Sequence, residues 1–252
     1  RSTLDGPLRV LFVGRLSPRK GADLAITAVE RLRERGTAAT LDIAGSVFEG
    51  YEPYEESLHA AVAATDLRDA VTFHGFQNEI WALLDRSDVL VVPSRLDEPF
   101  GNTAVEGVLA GRPVVVSDTS GLREATAGIP SAIRVEPDSA ASLADGLATV
   151  VERWPEMAVA AADSRRIAGE RHSRETFQQT VADEGFDFLL EDDALHADGG
   201  ELGLGFLKRC RRRLLAADEF GERQQVNGVI GMGDKHALGM LHVALQVGRQ
   251  DA

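Results

Sequence analysis

Residues 89–116 read Val89-Leu90-Val91-Val92, then a loop from Pro93 through Ser94-Arg95-Leu96-Asp97-Glu98-Pro99-Phe100-Gly101-Asn102, then Thr103 to Ala110, then Gly111-Arg112-Pro113-Val114-Val115-Val116. The two valine-rich runs suit strands buried on both sides, as in a parallel sheet covered on each face. The segment between them suits a helix. Outward from this unit the same alternation repeats. Leu8–Val13, Leu41–Ala44, Val71–His74 and Ala132–Val135 read as further strands, several of them stopped by glycine. Residues 20–35 carry Leu24, Ile26, Val29 and Leu32 at near-helical spacing, and 54–65, 79–86 and most of 139–190 also read as helical. Strands alternating with helices imply an α/β, Rossmann-like, mainly parallel sheet with helices on both faces. Ligands of such sheets bind at the carboxyl ends of the strands, which directs attention to the residues just after Val13, Ala44, His74, Val92 and Val116.

Composition bounds the function. Hydrophobic residues make up 44% and charged residues 27% of the 252, ordinary for a soluble globular protein. No stretch approaches the ~20 apolar residues that span a bilayer. The formal charge of −13 argues against a chain whose main task is coating nucleic acid. Cys210 is the only cysteine, so no internal disulfide can form, and a cytoplasmic protein is the plain expectation. The chain begins at Arg1 with neither Met nor an apolar signal core, which reads as the cut end of something longer.

Charge also divides the chain. Residues 1–193 hold 19 Lys+Arg and 33 Asp+Glu, a balance of −14, whereas residues 194–252 hold 8 and 7, a balance of +1. The second stretch scatters glycines without a period and carries a basic cluster from Lys208 to Arg213. It is expected to be a poorly structured or non-native tail, with residues 1–193 forming the folded domain. The Arg cluster could also touch phosphate or an acidic membrane face, so membrane contact is expected only peripherally, if at all.

Two loops carry chemistry. After the first strand come Gly14-Arg15-Leu16-Ser17-Pro18-Arg19-Lys20-Gly21. Gly14 lets a ligand approach the backbone, and Arg15 and Lys20 are cationic donors beside a helix start, where anions are attracted. Taken alone, these residues favour a solvated basic loop, with Ser17 as N-cap and Pro18 at the first helical position. After Val92, Glu98 sits in a loop and can reach into a cleft. Gly101 frees backbone N–H groups at a helix N-terminus, and Glu106 can accept two hydrogen bonds from a vicinal diol. The alternatives are an exposed turn carboxylate at Glu98 and a capping box over Thr103–Glu106. His74 reads as a strand-end packing residue.

Gly14-Arg15 with Lys20-Gly21, Glu98 and Glu106 with seven residues between, Val71-Thr72-Phe73-His74-Gly75 and Gly111-Arg112-Pro113-Val114-Val115-Val116 together resemble the C-terminal, donor-binding domain of the GT-B retaining glycosyltransferases of family 4. The likeness runs over about residues 7–190. It implies transfer of a sugar from a nucleoside-diphosphate-sugar donor to an acceptor with retention at the anomeric carbon. Arg15 and Lys20 would hold the diphosphate and stabilise the leaving nucleotide. Glu98 would bond hydroxyls of the donor sugar, with backbone groups of Phe100, Gly101 and Asn102 close to sugar and phosphate. Glu106 would bind the ribose, and the loop from Gly75 to Glu79 would border the base. Asn102 stands where many members have an aliphatic residue. No Asp-x-Asp motif occurs, and no metal or other cofactor is implied. The resemblance also implies a partner half, the N-terminal acceptor domain, which this chain is expected to lack, so that the last helix, about Arg174 to Leu190, would have nothing to dock on. Two other readings share the architecture: a nucleotide-sugar-binding module completed by a separate acceptor subunit, and a nucleotide-sugar epimerase-like GT-B enzyme.

Overall fold

In the computed structural model six strands align in the order β3-β2-β1-β4-β5-β6, every pair parallel. The structure describes residues 1 and 3–173, with Glu175, Thr176 and Gln179; the expected tail and most of the stretch from Arg174 to Leu190 lie outside the described residues. Residues Arg1–Ala168 form one compact unit. Its elements are β1 (Leu8–Val13), α1 (Ala22–Glu34), β2 (Ala39–Ala44), α2 (Glu52–Ala63), β3 (Val71–Gly75), α3 (Trp81–Arg86), β4 (Val89–Val92), α4 (Asn102–Leu109), β5 (Val114–Ser117), α5 (Ser120–Ala125), β6 (Ala132–Val135), α6 (Ala140–Glu152) and the start of α7 (Trp154–Arg171).

The central strands are buried on both faces because successive side chains meet different helices. Val115 and Val135 face α6: a methyl group added at Gly146 would lie 2.8 Å from a methyl of each. Leu90 and Val114 face the other way, toward α4, where a methyl at Gly107 would lie 2.5 Å from Leu90 and 3.0 Å from Val114. Glycine at these two positions lets each helix settle close onto the sheet. Val10, Phe12, Val89 and Val91 join Leu24, Val29 and Leu32 of α1 and Leu143 and Leu147 of α6 in one core. Each such side chain contributes about 1.5–3 kcal/mol on leaving water.

The strands fall where the sequence predicts them. α5 is the element the sequence reading omits, a six-residue helix directly after β5. Among the described residues no helix is long and apolar enough to cross a membrane.

At the amino edge of the sheet Asp88 is fully buried. It accepts bonds from the Arg9 side chain (2.7 and 3.1 Å), the Arg9 backbone N–H (2.9 Å) and Arg1 (2.7 and 3.1 Å). Burial alone would push its carboxyl up, but these partners outweigh that and hold it below the ordinary range. This cluster clamps β1 to β4 from the end opposite the candidate site.

Candidate functional site

β1 and β4 are neighbours, yet the chain leaves β1 toward β2 and leaves β4 toward β5. The loops after these two strands therefore part in opposite directions and open the crevice in which α/β sheets place their ligands. They are the two loops that the sequence singles out.

They meet through Lys20 and Glu98. The Lys20 ammonium donates to Glu98 Oε1 at 2.6 Å, and the hydroxyl of Ser94, itself fully buried, donates to the same oxygen at 2.6 Å. Glu98 is only 8% exposed, so it is not the solvated turn carboxylate of the alternative reading. Burial would raise its carboxyl, but the hydrogen bonds from Lys20 and Ser94 and the charges of Lys20 and Arg19 outweigh that and keep it low. The result is an ionised carboxylate held against a cation at the mouth of the sheet.

The backbone around the pair is tight. Gly21, left-handed with φ 73°, precedes α1, and a Cβ there would lie 2.2 Å from the Pro93 carbonyl. A Cβ on Gly121, at the start of α5, would lie 2.0 Å from the Glu98 carbonyl. Asp97 Oδ1 accepts the Ser120 N–H at 2.9 Å, fastening the same turn to α5.

Lys20 closes a short 3-10 turn, Pro18–Lys20, in which Pro18 occupies the first position as expected; Ser17 flanks it without a side-chain capping bond. Gly101, φ 91°, is the N-cap of α4, so Asn102 is the first helical residue and Thr103 lies inside the helix. The capping box that Thr103 would head therefore does not form. Glu106 lies one turn further on and is 7% exposed. Phe100 is buried, and the side-chain oxygen of Asn102 is buried without a hydrogen-bond partner among the described residues.

Two expected residues lie apart from this pair. Arg15 is exposed, with its guanidinium 4.8 Å above the ring of Phe48, in the loop after β2. Gly75 ends β3 with φ 64°, and its carbonyl accepts the Gly45 N–H at 2.8 Å. Its neighbour His74 bonds Asp42 at 2.6 Å, a polar pairing of β3 with β2 where packing was expected. Gly14 is open: an added Cβ would meet nothing nearer than the Phe12 ring at 3.6 Å.

Ser94, Arg95, Asp97 and Gly121 escape the sequence reading. All four fix the Glu98 turn, yet none carries a type or spacing that distinguishes it from an ordinary loop residue. Among the described residues no three His, Cys, Asp or Glu side chains gather into a metal site.

The profile of the family Glycosyl transferases group 1 matches residues 2–166. Over 179 residues the chain is 36% identical to the glycogen synthase of Mycobacterium tuberculosis, covering 70% of this chain and 41% of that protein. It is 34% identical over 149 residues to the 2-deoxystreptamine glucosyltransferase of Streptomyces kanamyceticus, covering 58% of this chain and 37% of that one. It thus spans about two-fifths of the length of such relatives. Anabaena HepE, in a crystal structure with UDP-glucose, superposes with a TM-score of 0.66 at 28% identity, over 71% of this chain and 48% of HepE.

Proposed function

The chain belongs to the glycosyl transferases group 1 family, and from that premise we propose that it carries the donor-binding, C-terminal half of a retaining GT-B glycosyltransferase of family 4. The observation that carries the reading is the Lys20–Glu98 pair, 2.6 Å apart at the switch point between β1 and β4. The likeness to HepE, whose structure holds UDP-glucose, supports a nucleoside-diphosphate-sugar as the ligand.

On this reading the donor diphosphate lies between the N-terminus of α4 and the loop after β1. N–H groups at the α4 N-terminus and the positive end of the helix favour the phosphates. Lys20 then divides its charge between phosphate and Glu98, and Arg15 swings from Phe48 onto the diphosphate. Negative charge grows on the leaving nucleotide as the glycosidic bond breaks, so both cations assist the transition state more than the ground state. Glu98, kept ionised, accepts hydrogen bonds from sugar hydroxyls. Glu106 accepts from the ribose diol, and the turn at Gly75 borders the base. These cations would supply the charge that a metal supplies elsewhere, and we expect none to be required.

Four exposed apolar side chains, Phe48, Tyr51, Phe76 and Leu96, lie in the loops after β2, β3 and β4, on the same edge as the site. Such a surface suits a covering acceptor-binding domain or subunit.

Calorimetric titration of the chain with UDP, GDP and ADP tests the reading. One nucleotide should bind, and Glu106→Ala should abolish or greatly weaken that binding. Absence of binding to all three, in protein with a cooperative melting transition, refutes a working donor site.

A further inference from the structure

We propose that Arg95 is a positioning residue: its guanidinium pins the loop after β4 to the loop after β1 and thereby sets the separation at which Lys20 meets Glu98. The inference rests on the reading of those two groups as donor-binding residues.

Arg95 lies three residues before Glu98 and directly after Ser94, the other partner of the Glu98 carboxylate. Its guanidinium is held on three sides. Two nitrogens form a fork onto Asp23 of α1, at 2.9 and 2.6 Å; Nη1 also donates to the Pro18 carbonyl, and Nε donates to Asp138 beyond β6. Its backbone N–H donates to the Arg19 carbonyl at 2.8 Å. Pro18, Arg19 and Asp23 flank Lys20 on either side in sequence. One residue of the Glu98 loop therefore grips the Lys20 loop before and after the lysine.

The anchor is itself anchored. The Tyr54 hydroxyl of α2 donates to Asp23 Oδ1 at 2.6 Å. Burial would raise the Asp23 carboxyl, but the bonds from Arg95 and Tyr54 together with the charge of Arg95 outweigh it and hold Asp23 ionised. A guanidinium suits this position because its planar fork presents five donors in fixed directions, whereas a lysine presents a single point charge. Arg95→Lys therefore keeps a positive charge at this position and removes the fork.

The test reads Glu98 directly. The carboxyl of Glu98 is titrated by carbon NMR without nucleotide in the unmodified chain, in Arg95→Lys and in Asp23→Asn, and UDP affinity is measured calorimetrically on the same samples. Asp88→Asn, at the opposite edge of the sheet, controls for lost stability alone. If Arg95 positions the pair, the Glu98 midpoint rises toward the ordinary carboxylate value in both loop variants and stays put in the control. UDP binding then weakens about tenfold in the loop variants, the scale of one misaligned charge-assisted hydrogen bond. A Glu98 midpoint unchanged in folded Arg95→Lys overturns the proposal, as does an equal rise in Asp88→Asn. Should Arg95→Lys fail to fold, Asp23→Asn decides by the same criterion. Failure of the unmodified chain to bind UDP counts against the donor-site reading, while the Glu98 titration still judges the positioning role.

Discussion

Gly121→Ala should injure the site by colliding with the main chain from Glu98 to Phe100. The new Cβ would lie 2.0 Å from the Glu98 carbonyl oxygen, 2.9 Å from its carbon and 3.1 Å from the Phe100 nitrogen. A methyl carbon and an oxygen rest at roughly 3.2 Å, a little inside the carbon–carbon optimum, so about 1.2 Å must be found. The backbone at Gly121 is not left-handed, so alanine strains nothing there except this contact. Both obstructing groups are main chain, and the Ser120–Asp97 bond ties the two segments together, so neither yields as a flexible side chain would. Overpacking of this kind costs about 1–3 kcal/mol. For a domain of this size that corresponds to a Tm lowered by roughly 2–12 °C. The displacement falls on Glu98 itself. A shift of about 1 Å in a binding group can cost up to ~100-fold, so affinity for UDP-glucose, whose sugar Glu98 would bond, should fall by about tenfold. Gly36→Ala is the comparison: φ is 89° with nothing within 4 Å of its Cβ, so its cost of about 1 kcal/mol is purely conformational and remote from the site. Thermal unfolding and calorimetric titration well below both transitions separate the two. Gly121→Ala with unchanged Tm and unchanged UDP-glucose affinity would refute the claim that α5 buttresses Glu98.

Gly14→Ala should behave oppositely: its Cβ finds only the Phe12 ring at 3.6 Å, so Tm should move by no more than a degree or two while nucleotide affinity drops. Arg15→Ala forfeits a cation–π contact with Phe48 of about 0.5–1 kcal/mol, barely visible in Tm. It should nevertheless weaken UDP binding and flatten its dependence on salt, and an unchanged salt dependence would remove Arg15 from the diphosphate site. Asp88→Ala strands two guanidiniums that are 38% and 23% exposed, so the usual penalty of a broken buried pair shrinks to about 2 kcal/mol, with UDP affinity intact. Because the Asp88 carboxyl is depressed in the folded chain, its stabilisation is complete above its unfolded value, about 3.9, and is lost as pH falls through the lower folded value. Acid unfolding below about pH 4 should accordingly be less steep in Asp88→Ala, and an identical pH profile would contradict the assignment.

The sheet was legible because burial on both faces favours unbroken apolar runs, and Val89–Val92 and Val114–Val116 are β-branched runs, with one leucine, too short for a helix. α5 was not, because six residues opening Ser120-Gly121 give neither a full period nor a helix-forming start. Within the site the same divide separates types from partners. Glu98 could be suspected from its loop and Lys20 from its helix start, but the contact between them spans 78 residues and no spacing rule connects them. It follows from strand order alone: only when β4 lies beside β1 do the two loops share an edge. Ser94 and Arg95 are further from reach, since a serine and an arginine after a strand read as solvated until the neighbouring loop is in place. Ser94 is fully buried and spends its hydroxyl on Glu98, and Arg95 finds Asp23 because α1 begins where the Lys20 loop ends. Strand order thus decides which polar residues become a network, and a second chain with the same loop residues but another strand order should hold its Lys and Glu apart.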